Sequence, residues 1–329
     1  MINFRYHVVS LTAVFLALAV GLVLGSTVLN GPTLDALESQ VNTLGRDNQQ
    51  LRDQVGFLQD EISREEDFAS EAAQMLLAGE LTGQRAALLV LPGGEDYAEG
   101  MASTLETAGA TVTGTVVIRD KFTHPQNRRT GLLDLAHEAL PPSVDAELLP
   151  ANSDGVETSA ALLAAVLFDP AAPGPPGSQT SEPAAGEPVE PVPEEDRTAV
   201  LSAYTTAEYL AETEQPTQPS DVVIVVAGLP VSDSDPDERN QALITTVEQF
   251  ALYGPVVVAG NGVAGDGNLV AAVRGDPELS QTISTVDNSS TPQGQIAAGL
   301  ATARHLAGAV GHFGNGEGAE RLLPEPAAS

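Results

Sequence analysis

The sequence predicts an α/β protein: a transmembrane helix, a coiled-coil helix, then a mainly parallel sheet with flanking helices, interrupted by a disordered acidic, proline-rich loop. Three observations predict it. An unbroken apolar run opens the chain, a three-and-four spacing of apolar residues follows, and short apolar segments then alternate with helical ones.

The apolar run lies in MINFRYHVVSLTAVFLALAVGLVLGS, and no residue from Val8 to Leu29 carries a charge. About 20 such residues cross the roughly 30 Å of a bilayer's hydrocarbon. A core helix would show a polar face, which this segment lacks. Residues 1–30 are therefore read as a membrane anchor. A cleaved secretory signal is the rival, since Arg5 supplies a basic end and Ala17-Leu18-Ala19 imitates a cleavage site. The run continues well past Ala19, which favours retention. Arg5 precedes the run, whereas Asp35 and Glu38 follow it. The positive-inside rule then puts the N-terminus in the cytoplasm and the remaining chain outside.

Residues 31–68 carry the most regular pattern. Leu34, Val41, Asn48, Val55 and Ile62 take heptad position a, and Leu37, Leu44, Leu51 and Leu58 take position d. β-Branched residues at a with Leu at d favour a parallel two-stranded coil, and a single Asn at a fixes register. Asp47 at g and Arg52 at the following e suit an interchain ion pair. The seam predicts a parallel homodimer. The alternatives are an amphipathic helix folded back on its own domain and a higher oligomer.

Residues 69–168 form the first α/β half. RAALLVL is a buried strand, PGG a turn, and Glu95–Ala108 a helix; TVTGTVVI is the next strand, and helices follow near Arg128–Leu140 and Val156–Phe168. This alternation indicates layered packing around a mainly parallel, Rossmann-like sheet. Residues 169–197 contain PAAPGPPGSQTSEPAAGEPVEPVPEED, whose composition buries no core, so they are read as a disordered loop. Residues 198–313 resume the rhythm: strand DVVIVVAGLP, helix Asp237–Leu252, strand PVVVAGNG, short helix Asn268–Val273, strand QTISTV and helix Pro292–Leu306. Each half supplies few strands, so one continuous sheet is more economical than two small domains. Residues 314–329 read as an irregular tail.

Composition narrows the function classes. The 329 residues include 14 basic and 45 acidic side chains, for a formal charge of −31. Such a surface repels phosphate backbones and excludes nucleic acid as a partner. Cysteine is absent, which removes disulfides and thiolate metal or redox sites.

Two constellations resemble chemistry. Gly260, Gly262 and Gly265 form G-x-G-x-x-G after a strand, and Asp287 ends the next strand. In a dinucleotide site the glycines admit a pyrophosphate and the acid binds a ribose hydroxyl. However, Gly275-Asp276-Pro277 stops the following helix early, and a plain glycine-rich turn explains the pattern as well. A dinucleotide-binding enzyme is thus the third-ranked reading, and no cofactor or catalytic residue is assigned. For metals, His305 and His312 would meet across the turn after the last helix; otherwise they are a surface and a turn histidine. No G-x-S-x-G nucleophile elbow occurs.

The opening MINFRYHVVSL, the apolar segment, the heptads and the ending TVDNSSTPQGQIAAGLATARHLAGAVGHFGNGEGAERLLP together resemble the actinobacterial MctB family. The resemblance covers nearly the whole chain. It implies copper transport or copper homeostasis, with copper as the handled ion and an outer-membrane association. It supplies no ligand motif. A transmembrane barrel needs alternating segments of roughly 10 residues with aromatic girdles, whereas these strands are continuously apolar and the chain has five Tyr, eight Phe and no Trp. The competing reading is a non-enzymatic dimeric scaffold that presents its α/β domain to another envelope protein.

Overall fold

A computed structural model describes residues 4–29, 32–127, 131–151, 154–169, 191–265 and 267–325, the side chains of 27–36 excepted. The chain divides into two compact units, Met1–Glu65 and Glu66–Ser329.

In the first unit, α1 (Phe4–Leu29) is helical along its whole length. Phe4–Ser26 is apolar enough and long enough to cross a membrane, and none of its apolar window is buried. Helix α2 (Pro32–Leu77) follows. Its leading proline suits a first turn, where the missing N–H would have had no partner. The heptad positions from Leu37 to Ile62 are exposed along it. Leu34 falls outside the described side chains.

The last turns of α2, from Glu66, belong to the second unit, where Ala69 and Leu77 are buried. The sheet begins with β1 (Arg85–Val90), followed by α3 (Glu95–Thr107) and β2 (Thr111–Val117). Three helices come next, α4 (Asp120–Thr123), α5 (Gly131–Glu138) and α6 (Gly155–Leu167). Helix α7 (Glu194–Thr206) precedes β3 (Val222–Val226), α8 (Pro236–Tyr253) and β4 (Val256–Ala259). The chain then forms α9 (Leu269–Gly275), α10 (Leu279–Thr282), β5 (Ile283–Val286), α11 (Pro292–Leu306) and β6 (His312–Phe313).

All six strands join one sheet in the order β2-β1-β3-β4-β5-β6, and every named pairing is parallel. The two sequence halves therefore meet in one sheet, at β1 against β3. Strands alternate their side chains between faces, and the core divides accordingly. Ala86, Leu88 and Val90 pack with α3, α11 and the end of α2, while Ala87 and Leu89 pack with α5 to α9. Burial on both faces accounts for unbroken apolar runs such as Val222–Val226.

The linker reading of 169–197 needs correction at its end. Residues 170–190 lie outside the described residues, but α7 starts at Glu194 and buries Arg197, Val200, Leu201 and Tyr204. Glu194, Glu195 and Asp196, which read as more of the acidic run, occupy the first turn of this helix, where negative charge is favoured. His312 and Phe313 add a short edge strand to β5, which the sequence reading did not list, just ahead of residue 314.

Candidate functional site

The glycine pattern sits where β4 and β5 end. Gly262 has φ +70° and donates its N–H to the Asp287 carbonyl at 2.5 Å, so the turn is tied to the neighbouring strand. Gly260 lies against α9: a side chain there would come within 2.6 Å of Val270 Cγ2. The structure thus brings Gly262 and Asp287 together through their backbones.

The Asp287 side chain has other partners. Its Oδ1 accepts the Asn315 N–H at 2.8 Å, and its Oδ2 accepts the Gly316 N–H at 2.9 Å and Arg274 Nη1 at 2.8 Å. Both members of this ion pair are almost fully buried. Arg274 also donates to Thr285 Oγ1 and to the carbonyls of Phe313 and Glu317. Gly314 permits the approach, since a Cβ there would fall 2.1 Å from Asp287 Oδ1. Asp287 is the centre of a knot that fastens the C-terminal segment to β5. Sequence reading missed Arg274. The Gly314-Asn315-Gly316 turn was its signal, because successive backbone N–H groups in such turns favour an anion.

Open α/β sheets bind ligands beyond their strand ends at the point where strand order reverses, here between β1 and β3. Two loops close that point. A side chain at Gly228 would lie 2.2 Å from the Gly93 carbonyl oxygen, so the backbones after β3 and β1 touch. Helix α3, which starts there, opens with Glu95 and Asp96, whose charges oppose a bound phosphate.

His305 and His312 are held apart. His305 Nδ1 bonds Ser284 Oγ at 2.9 Å, and His312 Nδ1 bonds Thr285 Oγ1 at 2.9 Å. Ser284 and Thr285 are consecutive in β5 and point to opposite faces, so the sheet separates the two rings. Burial pushes the His305 pKa down to about 4, and its Nε2 has no partner among the described residues. His312 Nε2 faces the Ser280 carbonyl at 3.2 Å, and its pKa is lowered by burial, with Arg274 adding to the effect. Among the described residues, no group of three or more His, Asp or Glu side chains is placed to hold a metal ion.

Among the described residues, two helix faces are apolar and exposed. One is the apolar surface of α1, and the other is the heptad seam of α2. The chemistry of the second unit is inward-looking, whereas these helices present apolar surface outward.

A family model described as "Copper transport outer membrane protein, MctB" matches residues 1–324. Relatives named Copper transporter MctB from Mycobacterium tuberculosis (strain ATCC 25618 / H37Rv) and Mycobacterium bovis (strain ATCC BAA-935 / AF2122/97) are 29 % identical over 340 residues, covering 97 % of this chain and 98 % of theirs. The Mycobacterium leprae (strain TN) protein of that name is 27 % identical over 336 residues, covering 98 % of this chain and 99 % of its own. The match runs through α1, α2 and the whole sheet, and the chain belongs to the MctB family.

Proposed function

We propose that this protein is held in the cell envelope by α1 and serves copper homeostasis there, limiting the copper retained by the cell without catalysing a reaction. The observation that carries this reading is the family match across residues 1–324, from the apolar helix through the C-terminal knot. The geometry supports a membrane-anchored protein more than a conduit. A barrel spanning a membrane turns apolar side chains outward to lipid, yet β1, β3, β4 and β5 are buried beneath helices on both faces. Helix α1 has no charged residue from Val8 onward to line an aqueous path. Arg5 before α1 supports a cytoplasmic N-terminus and an extracytoplasmic sheet domain.

The test is a strain lacking this gene, grown across a copper series. Higher cellular copper and lower tolerance, both restored by the full chain, are expected. Unchanged tolerance and copper content would overturn the reading.

A second reading is an envelope scaffold with no part in copper handling. It is favoured by the inward commitments of Asp287, His305 and His312, which leave the described residues without an assembled metal site. Copper binding by the purified full chain, together with the deletion phenotype, separates the two.

A further inference from the structure

We propose that residues 37–62 of α2 form a parallel, two-stranded coiled coil with a second copy of this chain, in register at Asn48 and ending at Glu65. This goes beyond the copper role and stands whether or not the chain handles copper.

The surface is defined by what remains exposed. The apolar seam residues from Leu37 to Ile62 are each 52–62 % exposed in the single chain. They recur alternately at three and four residues, which keeps one stripe facing a partner helix over several turns. An amphipathic helix on a globular core has a wider stripe, and α2 changes to such a face only from Glu66, where Ala69, Ala73 and Leu77 pack into the sheet domain. Both faces of that sheet are already covered by helices, so the domain offers the seam no open sheet face.

The chemistry of the seam selects its occupant. Val41, Val55 and Ile62 at a with Leu37, Leu44, Leu51 and Leu58 at d favour two parallel strands. Asn48 at a bonds best to the same residue of an in-register copy, and any shift would bury it against leucine or valine. Asp47 lies opposite the partner's Arg52 in that register, and neither makes an ion pair within its own chain among the described residues. The next d position after Leu58 is Glu65, and Glu61 would face the partner's Glu66 across the seam. Like charges there force two helices apart, so the coil ends where each α2 enters its own domain.

The membrane agrees with this polarity. Two copies inserted by the same rule cross the bilayer in the same sense. Ala13, Ala17, Gly21 and Gly25 repeat every four residues along α1, and nothing lies within 4 Å of a Cβ built at either glycine. Such spacing lets membrane helices approach closely, although the proposal rests on α2.

The natural chain lacks cysteine, so single cysteines report contacts cleanly in the full-length protein in membranes. Leu44→Cys and Leu51→Cys, at d, are expected to form a disulfide-linked species of twice the chain's mass under mild oxidation. Asp53→Cys, on the outer face of the helix, is expected to form little. The Leu44→Asp, Leu51→Asp double variant is expected to be monomeric in mild detergent while its sheet domain melts as before. No cross-link at either d position, equal cross-linking at Asp53→Cys, or trimeric and larger species would each overturn the proposal.

Discussion

Arg197 is a cation held almost entirely by carbonyl groups. It is 1 % exposed, and its guanidinium donates to the carbonyls of Val166, Val192 and Thr217 at 2.7–2.9 Å. Burial lowers its pKa from the ordinary guanidinium value, so the contacts must offset a desolvation cost. They fasten the end of α6, the entry to α7 and the approach to β3, closing the neck of the proline-rich excursion. Arg197→Met, which keeps the stem but strands three carbonyls, is expected to destabilise the chain by about 3 kcal/mol or more. A urea unfolding midpoint equal to that of the natural chain would contradict this. His305 acts through its neutral form. The folded-state pKa near 4 lies below the ordinary 6.5, so the unfolded chain takes up a proton first as pH falls. The contribution is fully present above pH 6.5 and is lost between there and about pH 4, amounting to about 3 kcal/mol. Unfolding free energies at pH 7 and pH 4.5 should therefore differ less for His305→Asn than for the natural chain. Equal differences would remove this role; His312, whose pKa burial also lowers, adds pH dependence of the same sign.

Among the elements, the loops that leave β1 and β3 approach closely, backbone against backbone. At Gly228 an added methyl group meets backbone, which cannot swing aside as a side chain could. Gly228→Ala is expected to separate the two strand ends and cost about 1–3 kcal/mol. Gly262 offers the contrast, because it has open space but φ +70°, so Gly262→Ala carries backbone strain instead of a clash. Thermal unfolding of the two variants, with NAD added at millimolar concentration, tests the glycine turn as well. A ligand-induced rise in Tm in the natural chain, absent in Gly262→Ala, would restore a dinucleotide site. The strands were legible in sequence because burial on both faces makes each a continuous apolar run, as in Arg85–Val90 and Val222–Val226. Helix α7 was not, because its acidic first turn continues the composition of the preceding linker. β6 is two residues long, too short for any periodicity to register. The Asp287–Arg274 knot was half legible. The acid was visible as a strand-end residue, but its partners come from α9 and from a turn beyond β6, which only the tertiary fold brings together.

The whole molecule carries far more acid than its cations can pair. Arg85 takes up Asp169 and Asp221, Arg239 takes up Asp120 and Asp233, and Arg274 takes up Asp287. With 14 basic residues against 45 acidic ones, most carboxylates have no cation of their own. Compacting the chain brings these charges together, so repulsion opposes folding. Its range is set by salt: the screening length is about 30 Å at 0.01 M and about 10 Å at 0.1 M. The exposed pairs at the surface should weaken with salt, but the 14 basic residues bound their number and each is worth little. The repulsive sum should dominate. Raising sodium chloride from 0.01 M to 0.5 M is therefore expected to stabilise the full chain by roughly 1–2 kcal/mol, or about 3–6 °C in Tm. Chloride is the suitable salt, because sulfate would also strengthen apolar burial and confuse the two effects. A Tm that stays level or falls across this series would mean that the charge is already neutralised locally. Diffuse repulsion would then not limit the stability of this fold.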